Sequence, residues 1–168
     1  MLILFLICAF GLWLYYSYIS VTKKREIAFD CFDRVDTVLR KRYELLSDIL
    51  SSAQSDLSQN QSLTEYILKL KDEVVSLGTK PEFMNRRIAL DKELEDKSEQ
   101  LISVLKNNSQ LPQSISDAIK AYDNLSSEIN IAKQDFNKSA QIFKKAVDVF
   151  PSSFMARLNE IKSIDYMK

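Results

Sequence analysis

Apolar and polar positions divide the chain into one unbroken apolar run followed by four amphipathic stretches and a tail. Met1 to Val21, MLILFLICAFGLWLYYSYISV, has no charged side chain on any helical face. From about Lys23 to Leu57 the apolar positions narrow to a stripe: Phe29, Phe32, Val35, Leu39, Leu46, Ile49, Ala53 and Leu57. The steps are three, four or seven residues, the repeat of one helix face. Asp36 and Arg40 stand four apart on its flank and can pair. No Gly or Pro separates this helix from the apolar run, which allows one continuous rod with Ser20 and Thr22 at the boundary.

Gln59-Asn60-Gln61 is a polar break, and Ser62-Leu63-Thr64-Glu65 then reads as a capping box. The second helix carries Leu63, Tyr66, Ile67, Leu70, Val74 and Leu77, with Gly78 past its end where a left-handed residue is expected. Thr79-Lys80-Pro81-Glu82 predicts a second capping box. The third helix runs to about Lys106 with the stripe Phe83, Leu90, Leu94, Leu101, Val104 and Leu105, and with Glu93 and Lys97 paired. Asn107 to Pro112 is a loop. Ser114-Ile115-Ser116-Asp117 marks a third start. The fourth helix carries Ile115, Ala118, Ile119, Tyr122, Leu125, Ile129, Ala132, Phe136, Ala140, Phe143 and Val147, and Phe150-Pro151 ends it. In the amphipathic tail Phe154, Met155, Leu158 and Ile161 share a face beside Arg157 and Lys162. It can lie on a membrane surface, pack back on the bundle or bind a partner, and packing is the preferred placement at this length. The expected architecture is all-α: a transmembrane helix over 1–22, an elongated antiparallel four-helix bundle over 23–151 and a short tail over 152–168.

The apolar run reaches roughly 30 Å as a helix, enough to cross a hydrocarbon core. Trp13, Tyr15, Tyr16 and Tyr18 suit the headgroup level, and Lys23, Lys24 and Arg25 follow at once. A secretory signal would begin with basic residues and exit through small ones, and this run does neither. A buried core helix would rarely be uncharged on every face for this length. The basic cluster is expected on the cytoplasmic side, which places the N-terminus outside and the helical domain in the cytoplasm.

Composition narrows the chemistry. Gly and Pro number 2 and 3 in 168 residues, too few for the turns of a sheet protein. Lys plus Arg and Asp plus Glu balance at 23 each, so no field steers the chain onto nucleic acid. Histidine is absent, which removes the commonest general base and zinc ligand. The two cysteines, Cys8 and Cys31, make neither a disulfide framework nor a CxxC site, and Cys31 reads as a packing residue. No phosphate-binding glycine loop or nucleophile elbow occurs. The acids Asp91, Glu93, Glu95 and Asp96 are interleaved with Lys92 and Lys97 and read as a solvated helix face. Arg42 and Tyr43 interrupt the apolar stripe between Leu39 and Leu46. The preferred reading of Arg42 is an inter-helix ion pair, with an acid on the fourth helix as the expected partner; the functional reading is a ligand or partner contact. No catalytic, cofactor-binding or metal site is expected, and the chain is read as not an enzyme.

Two stretches resemble the LemA family. Phe32-Asp33-Arg34-Val35-Asp36-Thr37-Val38-Leu39-Arg40-Lys41-Arg42-Tyr43-Glu44-Leu45-Leu46 is similar to that family's segment after its membrane helix: an aromatic, an aliphatic-Asp pair, then a basic run into Arg-Tyr-acidic-Leu. Ile129 to Asn137, continued by Phe150-Pro151-Ser152, is similar to its late helix, with the aromatic-Asn step at Phe136-Asn137 and a terminal Phe-Pro. The family's Pro-Asn pair is replaced by Ser47-Asp48, its usual Trp by Phe32 and its Glu-Asn pair by Ser126-Ser127, and a glycine-rich tail is missing, which marks a divergent member. The resemblance implies a membrane-anchored helical protein of the bacterial inner membrane and implies no biochemical activity. The motif residues it points to are Asp36, Arg42, Tyr43, Phe136, Asn137, Phe150 and Pro151. The expected role is a scaffold whose partners are the lipid bilayer, an unidentified protein and copies of itself. The alternative is an accessory or regulatory subunit of a larger membrane complex, such as a protease, transporter or envelope machine.

Overall fold

The computed structural model describes residues 1–54, 57–107 and 111–167, and no strand occurs among them. Helix α1 spans Leu2–Ser52, 51 residues without a break. Helices α2 (Gln61–Leu77), α3 (Met84–Lys106), α4 (Gln113–Asp148) and α5 (Ser152–Leu158) follow, with single 3-10 turns at Ser58–Asn60 and Pro81–Phe83. The chain is all-α, as its periodicity indicated, and the apolar run continues into the first amphipathic helix through Ser20 and Thr22 as one rod.

Cross-helix pairs give the direction of each helix. Trp13 meets Phe150, Phe32 meets Phe136, and Arg42 meets Tyr122, so α1 and α4 run antiparallel along their shared length. Glu73 pairs with Arg86, and Tyr66 donates to Glu93, so α2 and α3 are antiparallel too. Lys106 reaches Asp123 and Glu95 reaches Lys133, which sets α3 antiparallel to α4. At about 1.5 Å per residue, α1 extends roughly 75 Å and α4 roughly 55 Å. The excess is the beginning of α1, where Leu2 to Phe10 stand exposed and no other helix accompanies them. The first fully buried side chain of α1 is Val21, and from there its stripe runs through Ala28, Phe32, Val35, Leu39, Leu46 and Ile49. Opposite it α4 buries Ile129, Phe136, Ala140 and Phe143. Phe32 and Phe136 meet edge to face at 5.4 Å between ring centres in the middle of this seam.

Helix ends differ from expectation. Ser62 and Ser114 lie inside α2 and α4, whose caps are Asn60 and Pro112, and none of these starts uses a side-chain cap. Thr79 precedes a 3-10 turn capped by Lys80 instead of opening a capping box. The preceding 3-10 turn winds directly into α2, and the Pro112 carbonyl accepts from the amides of Ile115 and Ser116, so backbone groups do the work assigned to the serines. Helix α1 ends at Ser52, short of Leu57, which is buried past it; residues 55–56 of that expected helix lie outside the described residues. So do residues 108–110 of the expected loop and Lys168 of the tail. In the α3 stripe Val104 is exposed, and Ile88 and Ile102 are buried in its place. Gly78 has the positive φ expected of it, 58°, but its ψ of −149° is extended and not left-handed helical.

The tail does not keep its apolar residues on one face. Ala156, Ile164 and Met167 are buried against the bundle, whereas Phe154 and Leu158 point outward. Beyond α5 the backbone is held by two asparagines. Asn85 Nδ2 donates to the Ser163 carbonyl and its Oδ1 accepts from the Asp165 amide. Asn137 Nδ2 donates to the Met167 carbonyl and its Oδ1 accepts from the Met167 amide.

Phe136→Ala, at the fully buried centre of the seam, is expected to cost about 3–5 kcal/mol of unfolding free energy. Urea unfolding in detergent, followed by helical circular dichroism, measures it.

Candidate functional site

Arg42 and Tyr43 of α1 converge with acids of α3 and with Arg87, which the sequence did not single out. Arg87 has no exposed surface. Its Nη2 donates to Asp36 Oδ1 at 2.5 Å, its Nε to Asp91 Oδ2 at 3.0 Å and its Nη1 to the Gly78 carbonyl at 3.1 Å. Asp36 also accepts from Arg40 Nε at 2.7 Å, the flank pair visible in the sequence. The Tyr43 hydroxyl donates to Asp91 Oδ1. One turn along α3, Glu95 takes Arg42 Nη1 at 2.9 Å on one oxygen and Lys133 Nζ at 2.6 Å on the other. Arg42 also lies over the Tyr122 ring, 4.3 Å from its centre, with Glu99 at 4.0 Å.

Two expectations are corrected here. The acids of α3 do not form a solvated face: Asp91 is buried, and Glu95 turns toward α1 and α4. Glu93 does point outward, but it accepts from Tyr66 instead of pairing with Lys97. The acid that answers Arg42 is on α3, not on α4, which supplies the Tyr122 ring. The signal for the inward acids was present. Arg87, Asp91, Leu94, Ser98, Leu101 and Leu105 are all buried and follow each other at four and three residues, a single helix face. Reading the charged members as surface residues broke that face.

Burial dominates the electrostatics. It pushes the Tyr43 hydroxyl well above its usual value of 10.0, helped by the Asp91 charge, so Tyr43 is a neutral donor. Burial also raises the Asp91 carboxyl above 3.8, although Arg87 and Tyr43 pull the other way. For Glu95 burial opposes ionisation, but the hydrogen bonds and charges of Lys133 and Arg42 outweigh it and hold the carboxyl below 4.5.

Above this network lies a cleft of about 250 Å³ between α3, α4 and the tail, lined by Asp91, Lys92, Glu95, Lys133, Asp165 and Tyr166 among others. Of its charged groups, Glu95 and Lys133 pair with each other and Asp91 pairs with Arg87. No nucleophile stands next to a base there, and among the described residues no three His, Cys, Asp or Glu side chains converge as a metal site. The Cys31 thiol packs against α4, 3.1 Å from Ser139 Oγ.

The residues that carried the family resemblance occupy particular places. Asp36, Arg42 and Tyr43 belong to the charge network, Phe136 to the seam, and Asn137 holds the tail. Phe150 and Pro151 form the corner between α4 and α5, with Phe150 against Trp13. Trp13, Tyr15, Tyr16, Tyr18, Lys23, Lys24 and Arg25 follow one another along α1, and Trp13, Tyr15, Tyr16 and Tyr18 expose much of their surface. Compared with known proteins, the profile of the LemA family matches residues 31–168. No curated protein and no solved structure matches the chain.

Two outcomes follow. Arg87→Met leaves the buried Asp91 without its cation and Asp36 with Arg40 alone, and is expected to cost about 3–5 kcal/mol, read from urea unfolding. Glu95 contributes stability that is fully present above 4.5 and is lost as pH falls through its lowered folded-state value. Glu95→Gln is therefore expected to be less stable than wild type at neutral pH, with the gap closing as the medium is acidified below about 4.5. Asp91 works in the opposite sense, because its raised value makes ionisation unfavourable to folding. Unfolding curves of both proteins across this range check the sign.

Proposed function

The chain belongs to the LemA family, and on that premise we propose that it is a membrane-anchored helical scaffold that holds its bundle at the cytoplasmic face of a bacterial inner membrane and offers helix surfaces to another protein or to copies of itself. The observation that carries this reading is the bare start of α1. It is long and apolar enough to cross a bilayer, and almost none of it is buried. A core helix of the same composition would be covered by its neighbours; here Leu2, Ile3, Phe5 and Ile7 face outward on all sides. Lys23, Lys24 and Arg25 after the apolar run favour a cytoplasmic body. The body supports binding better than catalysis, because its buried ion pairs Arg42–Glu95, Arg87–Asp36 and Lys133–Glu95 tie helices to one another. The described flanks carry both charge signs, with single exposed apolar residues such as Val75, Val104, Ile131 and Ile142.

The test is crosslinking of the full-length protein in native membranes, followed by alkaline extraction and isolation. The expected result is retention in the membrane pellet, with either a saturable partner or higher multimers of the chain itself. Co-isolation at fixed stoichiometry with a protease, transporter or envelope assembly makes it that assembly's accessory subunit. Release by alkali overturns the anchor, and a chain that crosslinks to nothing overturns the scaffold.

A further inference from the structure

The anchor and the body overlap along the axis of α1. The uncharged run of α1 continues to Thr22, and its first charge is Lys23. The body nevertheless reaches back to Trp13, whose ring meets Phe150 edge to face at 5.6 Å. Ten residues of helix separate Trp13 from Lys23, roughly 15 Å. The α4–α5 corner therefore lies on the membrane side of the basic cluster, against a stretch of α1 that composition assigns to the bilayer.

The surface of that corner fits this position. Val149, Phe150, Phe154 and Leu158 are 61%, 67%, 52% and 68% exposed, four large apolar side chains within ten residues of sequence. Arg157 is the one charge between Val149 and Leu158. Phe154 and Leu158 stand one turn apart on the outer face of α5, while Ala156 and the buried Ile164 and Met167 hold the segment to the bundle. Phe150 of this group adjoins Trp13 of the anchor.

Resting on the anchor reading above, we propose that the α4–α5 corner is a second membrane-contact element, inserted beside α1 into the boundary between headgroups and acyl chains. The occupant of this apolar patch is lipid. An inserted short amphipathic segment sinks about 5–10 Å below the headgroups, which the 15 Å overlap accommodates. Phe150, Phe154 and Leu158 enter the acyl region, and the long side chain of Arg157 can carry its charge back to the phosphates. Two points of contact, one spanning and one inserted, fix the tilt of the bundle on the membrane.

The chain has a single tryptophan, Trp13, which makes depth-dependent quenching readable residue by residue. The full-length protein is placed in phosphatidylcholine nanodiscs whose acyl chains are brominated near the headgroup. Wild type reports Trp13; Trp13→Phe with Phe154→Trp reports the corner; Trp13→Phe with Glu44→Trp gives the baseline for the aqueous body. Phe154 is exposed, so the substitution leaves the packing intact. The expected result is quenching and a blue-shifted emission at position 154 comparable with Trp13, and none at position 44. Quenching of Trp13 with position 154 indistinguishable from position 44 overturns the inserted corner and leaves the anchor standing. No quenching of Trp13 removes the anchor reading and this inference with it, whatever position 154 reports.

Discussion

Arg87 brings a permanent charge to a place with no solvent, and the geometry of half the molecule answers to it. An unpaired guanidinium there would cost several kcal/mol in lost hydration. Its three hydrogen-bonding nitrogens are met from three directions: Asp36 on α1, Asp91 on its own helix and the carbonyl of Gly78 after α2. A shift of α1 against α3 by one turn would part the fork of Arg87 from Asp36. Separating one partner of such a buried pair leaves an uncompensated charge, which is strongly destabilising. Gly78 can turn its carbonyl inward because a positive φ with extended ψ is open to glycine.

The second network repeats this logic one turn further along. Glu95 ties Arg42 of α1 to Lys133 of α4, and Tyr122 covers the guanidinium face. The α1–α4 seam is apolar at Phe32 and Phe136 and charged at its α3 side. The long pair therefore supplies burial, and α3 supplies the register. Since α1 is one rod from Leu2 to Ser52, any constraint on its body half is also a constraint on its bare half. The networks thus set which face of the apolar run meets Phe150, although they lie far from it along α1.

Most of the architecture was legible because helical periodicity survives in a single sequence. The rod, the stripes on α1 and α4 and the stop at Phe150-Pro151 all follow from spacing and from the missing glycines. The capping boxes failed because Ser62 and Ser114 lie inside their helices, where the preceding turn or the Pro112 carbonyl supplies the helix start. The charge network was half visible. Arg42 stood out against leucines on either side, whereas Arg87 and Asp91 sit among charged neighbours that do face water. Separating them takes the phase of the whole helix, from Arg87 through Leu94 to Leu105. The partner of Arg42 was not derivable, because sequence spacing says nothing about which of two neighbouring helices brings the acid.

The tail shows how a surface pattern can conceal two contacts. Read as a helix, Phe154, Met155, Leu158 and Ile161 make one face. The helix stops at Leu158, however, and a turn and a non-helical segment follow, so the residues on either side do not share one repeat. Beyond the helix Ile164 and Met167 are buried, and the backbone beside them is held by asparagine amides that offer a donor and an acceptor side by side. Of α5 only Ala156 is buried with them, so Phe154 and Leu158 on its outer face are free of the bundle. Asn137 holds the Met167 backbone at the rim of the cleft over Glu95 and Lys133, so the same clamp that frees the corner also forms one wall of that cleft.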